Sequence, residues 1–210
     1  MNKGLFITIE GGEGVGKSTN IEFIKSLLDA NSIECIVTRE PGGTPLAEEI
    51  REVLIANREE KVVSEAELLL MFAARAQHLH QKILPTLETG TWVISDRFTD
   101  ATYAYQSGGR GVPSEKVALL ENFVQGDVRP DLTLLFDAPV EVGMARAKNR
   151  GKLDRFEEEK LEFFNRVRDN YLERSSAEPD RFLVVDATQS LEKVQLDLRE
   201  IISEKLSAHI

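Results

Sequence analysis

What this chain lacks narrows its function first. It has one cysteine, Cys35, so no internal disulfide can form, and with three histidines it has no cysteine-histidine zinc cluster; a reducing, cytoplasmic setting is expected. Positive charge is in deficit. Lys+Arg 26 against Asp+Glu 36 gives 26 − 36 = −10, which disfavours a surface built for nucleic acid or anionic membranes and makes any anion site a local one. Long apolar runs are missing as well. The longest stretch without Asp, Glu, Lys or Arg is the nine residues from Ala101 to Gly109, about half of what a membrane helix needs. The N-terminal apolar run meets Glu10 too early for a secretory signal. Repeats, low-complexity tracts and Ser/Gly/Pro-rich linkers are also absent, so the 210 residues are expected to form a single domain of ordinary globular composition, 41% hydrophobic and 30% charged.

What is present is an alternation of short apolar runs and longer helical patterns. Leu5–Ile9, Ile33–Thr38, Trp92–Ser95, Leu132–Phe136 and Phe182–Val185 have strand length. Between them lie helical spacings such as Ile21, Ile24, Leu27 and Leu28, then Leu46, Ile50, Val53 and Leu54. This predicts an α/β three-layer sandwich, a five-stranded parallel sheet with helices on both faces. Ser64-x-x-Glu67 fits a capping box opening one long, kinked helix that runs toward Pro85 and Gly90. A further helix is expected after Pro139, carrying Val142, Met144, Arg146 and Arg150 up to Gly151, and another over Phe156–Glu173.

The strongest chemical signal is Gly11-Gly12-Glu13-Gly14-Val15-Gly16-Lys17-Ser18, which fits the G-x-x-x-x-G-K-[ST] phosphate loop of P-loop NTPases. It sits after the first predicted strand and before a helical pattern from Thr19, the setting that the motif requires. In such a loop the glycines let backbone N–H groups converge on phosphates, Lys17 neutralises β and γ oxygens, and the Ser18 hydroxyl can ligate Mg²⁺. No N-K-x-D-like base-reading tetrad is present, which argues against a GTPase. Arg39, Arg75 and Arg97 stand isolated beside glycine, aromatic or polar residues, after strands or on an apolar helix, and their forked donors suit a second phosphate. Arg146, Lys148, Arg150, Lys152 and Arg155 gather five cations in ten residues, a candidate lid at about 146–156 that could deliver charge and exclude water. A solvated helix face is the rival reading of that cluster.

Taken with Thr38-Arg39-Glu40-Pro41-Gly42-Gly43-Thr44, Phe72-Ala73-Ala74-Arg75, Asp96-Arg97-Phe98, Ala104-Tyr105-Gln106, Gly109-Arg110-Gly111 and Leu153-Asp154-Arg155-Phe156-Glu157, the loop makes nearly the whole chain resemble the bacterial thymidylate kinases. The resemblance implies a P-loop kinase fold, usually a homodimer, that converts ATP and dTMP to ADP and dTDP with Mg²⁺. It implies that Arg39 and Arg97 hold the acceptor phosphate, Arg75 bonds the thymine carbonyl, Thr102 and Gln106 address the base from its other edge, and Tyr105 packs near the deoxyribose. Asp96 and Glu40 would organise Mg²⁺ and its waters, and Glu13 would accept a hydrogen bond from the sugar 3′-hydroxyl. Lys17, Arg97 and Arg150 would carry catalysis, with Arg146 and Lys148 helping in the lid. Two departures stand out. Met71, followed by Phe72, occupies a position where many members have phenylalanine, leaving open which of the two covers the thymine, and Ala101-Thr102 replaces a serine pair. Rival readings are a kinase for another nucleoside monophosphate and a nucleotide-binding module without turnover.

Overall fold

A computed structural model describes residues 3–147, 155–156 and 159–209. Five parallel strands, β1 (Phe6–Gly11), β2 (Cys35–Arg39), β3 (Trp92–Asp96), β4 (Leu132–Asp137) and β5 (Phe182–Asp186), pair in the order β2-β3-β1-β4-β5. Because β1 lies between β3 and β4, the chain crosses to both sides of it, and a crevice opens outside the carboxyl ends of these strands. The helices between the strands are α1 (Lys17–Ala30), α2 (Pro45–Ile55), α3 (Ser64–His78), α4 (Leu84–Glu88), α5 (Thr99–Thr102), α6 (Ser114–Gln125), α7 (Val140–Ala147) and α8 (Leu161–Ala177), and α9 (Leu191–His209) comes after β5.

Alternation along the strands decides which layer each residue joins. Ile7 and Ile9 of β1, Ile94 of β3 and Leu134 and Phe136 of β4 pack with Ile21, Ile24 and Leu28 of α1 and Leu198 and Ile202 of α9. Their neighbours Phe6 and Val93 face the other way, toward Leu79, Ile83 and Phe98. On that second face β1 also places Thr8 and Glu10, fully buried, so the strand outruns its apolar pattern and ends at Gly11.

Of three expectations about the helices, the first and the last need correction. The capping box at Ser64 does not form: Val63 is the N-cap, no side chain caps the helix, and Glu67 is drawn instead into a buried cluster with Arg110 and Arg155. The long helix toward Gly90 is α3 and α4 joined through a π-helical turn over Leu79–Ile83. Pro85 comes just after that turn, and the wider turn suits a ring that has no N–H to give. The helix expected over Phe156–Glu173 begins only at Leu161; Phe156 lies in a turn and puts its ring among Tyr105, Phe163 and Tyr171. Lys148, Arg150 and Lys152 of the expected lid lie outside the described residues.

Candidate active site

The phosphate loop leaves β1 at Gly11 and turns into α1 through Gly16, which has φ +90°. Gly14, at φ +71°, is where the absence of a side chain matters most: a Cβ there would lie 1.9 Å from the Gly143 carbonyl oxygen of α7. A Cβ on Gly143 would in turn lie 2.2 Å from the Glu13 carbonyl oxygen, so two glycines let loop and helix touch backbone to backbone. Lys17 donates to the Gly11 and Gly12 carbonyls at 3.0 and 2.6 Å. Burial, then the charge of Arg97, brings its ammonium down to about 8, against the pull of Glu13, Asp96 and Glu10. An arriving phosphate would reverse that bias.

This loop forms one wall of a cavity of about 510 Å³. Asp96, Arg97, Phe98, Ala101, Thr102, Tyr105 and Gln106 form much of the rest, a succession that the chain supplies by leaving β3 and entering α5 and then a π-helical segment, Tyr103–Gly109.

Arg97 is a non-glycine residue at φ +71°, a conformation that costs on the order of 1 kcal/mol and is kept here by side-chain contacts. It donates to Glu13 Oε1 at 2.5 Å, to the Tyr105 hydroxyl at 2.9 Å and to the Tyr171 hydroxyl at 3.3 Å, and its guanidinium lies 4.7 Å from the centre of the Tyr105 ring. Tyr105 donates to the same Glu13 oxygen at 2.8 Å. The loop carboxylate therefore points inward, toward the cavity, and not to solvent. Beneath this group lies Glu10, which accepts from the Phe98 N–H and from the Tyr171 hydroxyl, both at 2.7 Å. Burial first, and then the charge of Asp100, pushes its carboxyl up to about 8, although Arg97, Tyr171 and the Phe98 N–H favour the ion.

Arg75 of α3 also lines the cavity and is 2% exposed. It donates through Nε to Glu40 at 2.7 Å and through Nη2 to the Phe98 carbonyl and the Thr102 hydroxyl at 3.0 and 2.9 Å, while its Nη1 is buried with no partner. Gln106 donates to Glu67 at 3.0 Å. Met71 lines the cavity; Phe72 does not, lying beneath Arg75 with its ring centre 4.9 Å from the guanidinium.

Several expected residues are placed otherwise than the sequence suggested. Arg39 is turned away from the cavity and pairs with Glu48 at 2.8 Å on the exterior, since the carboxylate of α2 lies beside it. In its place Arg51 of α2 lines the cavity, donating to the Pro41 carbonyl at 3.0 Å. Nothing but helical spacing marks Arg51 in the sequence. Glu40 has both carboxylate oxygens engaged, one by Arg75 and one by His78 Nδ1 at 2.9 Å, which leaves it a poor metal ligand. Asp96 suits one better: its Oδ1 is buried without a hydrogen-bond partner, and it lines the same cavity as Ser18. Among the described residues no three His, Cys, Asp or Glu side chains form a metal cage. Arg146 reaches the cavity while donating to the Ala187 carbonyl at 2.9 Å. Arg155 is no solvated cation: it donates to the Leu54 carbonyl and pairs with buried Glu67, both at 2.8 Å.

A phosphate loop at the switch point of a parallel sheet, opening on one cavity that is also lined by Arg51, Arg97 and the buried Arg75, defines a P-loop kinase of small phosphorylated acceptors. A thymidylate kinase family model matches residues 9–198. The thymidylate kinase of Hahella chejuensis is 60% identical over 207 residues, covering 99% of this chain and 100% of that protein, and the one from Pseudomonas syringae pv. tomato is 58% identical, covering 97% of each. The crystal structure of thymidylate kinase from Ehrlichia chaffeensis superposes with a TM-score of 0.75 at 31% identity, covering 96% of this chain and 99% of that one. The chain belongs to the thymidylate kinase family, nucleoside monophosphate kinases that phosphorylate dTMP with ATP.

Proposed function

We propose that the phosphorylation of dTMP is divided between the two ends of the cavity, with the donor phosphates on Lys17 and the backbone N–H groups from Gly12 to Thr19 and the thymine at Arg75. The observation that carries this reading is the buried, unpartnered Nη1 of Arg75, an unspent donor on a residue that lines the cavity. A pyrimidine carbonyl would satisfy it, with Gln106 beside it and Met71, rather than Phe72, over the ring. Arg97 and Arg51, not Arg39, would face the acceptor phosphate, and Glu13 with Tyr105 would meet the deoxyribose. Mg²⁺, when bound with ATP, would screen charge between the phosphates, held by Ser18 and Asp96. Arg97 is built for its task before substrate arrives: three side chains fix its fork, so little reorganisation remains at the moment of transfer. Lys17 stabilises the charge that develops on the donor. The roles of Arg150 and Lys148 rest on the family resemblance alone; Arg146 would join them from the last turn of α7.

The whole chain would act as one kinase domain, since α1 and α9, from opposite ends of the sequence, share one core. A second copy would cover the joined faces of α3 and α6, where Leu69, Leu119 and Phe123 are exposed and Glu65 meets Lys116 at 3.9 Å. A cytoplasmic enzyme accords with its single thiol and its ATP donor. The test of function is ADP release measured with dTMP, dUMP and dCMP in turn. Strong stimulation by dTMP that is lost by several orders of magnitude in Lys17→Ala is expected; turnover persisting in a folded Lys17→Ala would refute the assignment of Lys17. Light scattering should report a dimer that Phe123→Glu converts to a monomer.

A further inference from the structure

A side-chain amide has an oxygen and a nitrogen of nearly the same shape, so Gln106 could offer the cavity either an acceptor or a donor. Something else must choose. Gln106 is 1% exposed and has its Nε2 3.0 Å from Glu67 Oε1. Glu67 is fully buried, lies outside the cavity lining, and faces two guanidiniums: Arg110 Nε at 3.2 Å and Arg155 Nη1 at 2.8 Å. A carboxylate held between two guanidiniums can only accept, so it takes the N–H side of the Gln106 amide and leaves Oε1 as the atom available to the cavity. Arg75 Nη1 can only donate. The cavity thus shows a donor and an acceptor to the base. A 4-oxo pyrimidine has a carbonyl acceptor at C4 and an N–H donor at N3, and matches both. A 4-amino pyrimidine has a donor at C4 and an acceptor at N3, and matches neither.

From this we infer that Glu67 is a specificity-determining positioning residue, which never touches substrate but orients the Gln106 amide so that thymine is taken and cytosine refused. The inference rests on the reading of Arg75 and Gln106 as the groups that meet the base. Glu67 acts one step behind them.

The experiment compares kcat/KM for dTMP and dCMP in wild type, Glu67→Gln, Glu67→Asp, Arg110→Lys and Gln106→Ala, with folding checked by circular dichroism. In Glu67→Gln the group facing Gln106 carries a donor as well as an acceptor, so the Gln106 amide is free to reverse and one of the two mismatches with cytosine disappears. The preference for dTMP over dCMP should fall tenfold or more while KM for ATP stays within twofold. Glu67→Asp, still an acceptor only, should keep most of the preference, and so should Arg110→Lys, which loosens the same cluster without changing Glu67. Should the two guanidiniums prevent Glu67→Gln from folding, combining it with Arg110→Gln removes one of them, with the same fall expected. A preference unchanged in Glu67→Gln but lost in Gln106→Ala would overturn the role of Glu67 alone. A preference unchanged in Gln106→Ala as well would overturn the reading of the base site on which it stands. An equal fall in Arg110→Lys would reduce the effect to packing and also overturn the proposal.

Discussion

Replacing Glu10 by glutamine should make this protein more stable at alkaline pH, and the reason can be worked from three contacts. The carboxyl is fully buried between the Phe98 N–H and the Tyr171 hydroxyl, with Asp100 near enough to repel it, and its folded-state value is pushed up from 4.5 to about 8. A carboxyl whose value rises on folding binds its proton more tightly in the native state, so its contribution is fully present below pH 4.5 and is lost as the pH climbs through about 8. At ~1.4 kcal/mol for each tenfold, the loss is bounded by about 5 kcal/mol, and water penetration and relaxation in a responsive interior should leave on the order of 1–3 kcal/mol. Glutamine keeps the shape, accepts from the Phe98 N–H with its oxygen, and offers an N–H to the Tyr171 oxygen, but never ionises. Urea unfolding at pH 6 and pH 9 is the assay. Wild type should lose stability relative to Glu10→Gln between these pH values, with the variant overtaking it at pH 9. A difference between the two proteins that does not change with pH would refute the account. Turnover should fall only modestly, because Arg97 keeps Glu13, Tyr105 and Tyr171 as partners.

Three further outcomes are expected. Gly14→Ala should cost at least about 2 kcal/mol and most of the activity, because a Cβ 1.9 Å from the Gly143 carbonyl oxygen must push the phosphate loop off α7; thermal melts and kcat check it, and a normal melting temperature would contradict the contact. Arg75→Ala should raise KM for dTMP at least a hundredfold and KM for ATP little. It should also lower Tm, since Glu40 would lose its guanidinium partner in a buried site and keep the His78 ring; equal shifts in the two KM values would make Arg75 structural. Glu13→Ala should erase most of the roughly ten- to hundredfold kcat/KM penalty expected for 3′-deoxy-dTMP in wild type, and an undiminished penalty would show that Glu13 does not meet the sugar.

The strands were legible because their apolar runs are short and nearly continuous, Glu34 alone putting a charge into one of them, and the phosphate loop because its chemistry requires a fixed spacing of glycines, lysine and serine. Where the sequence misled, a polar residue was answering to a partner far along the chain. Glu10 looks like the end of a strand, yet β1 carries it into the core because Tyr171 and the Phe98 N–H await it. Glu67 looks like half of a capping box, but two arginines and a glutamine hold it instead. Arg39 sits in a telling motif and points outward, whereas Arg51, in an unremarkable helical stretch, points in. Local pattern reports which residues can be buried; it does not report which distant group will compensate a buried charge.

The π-helical segment over Tyr103–Gly109 has a consequence for how this site can change over time. A π turn holds one more residue than the α turn that it replaces, so the directions of Tyr105 and Gln106 depend on how many residues lie in the segment as well as on which ones. Deleting one residue there would let an ordinary α-helix form, with better local hydrogen bonding, and would move Tyr105 and Gln106, which lie inside the turn, off the directions that the wider turn gives them. The result would be a sound helix and an unmade site. Substitutions can be tried singly along this stretch, but its length is close to immutable, and drift in the family should run through exchanges such as Ala101 and Thr102 rather than through insertions or deletions.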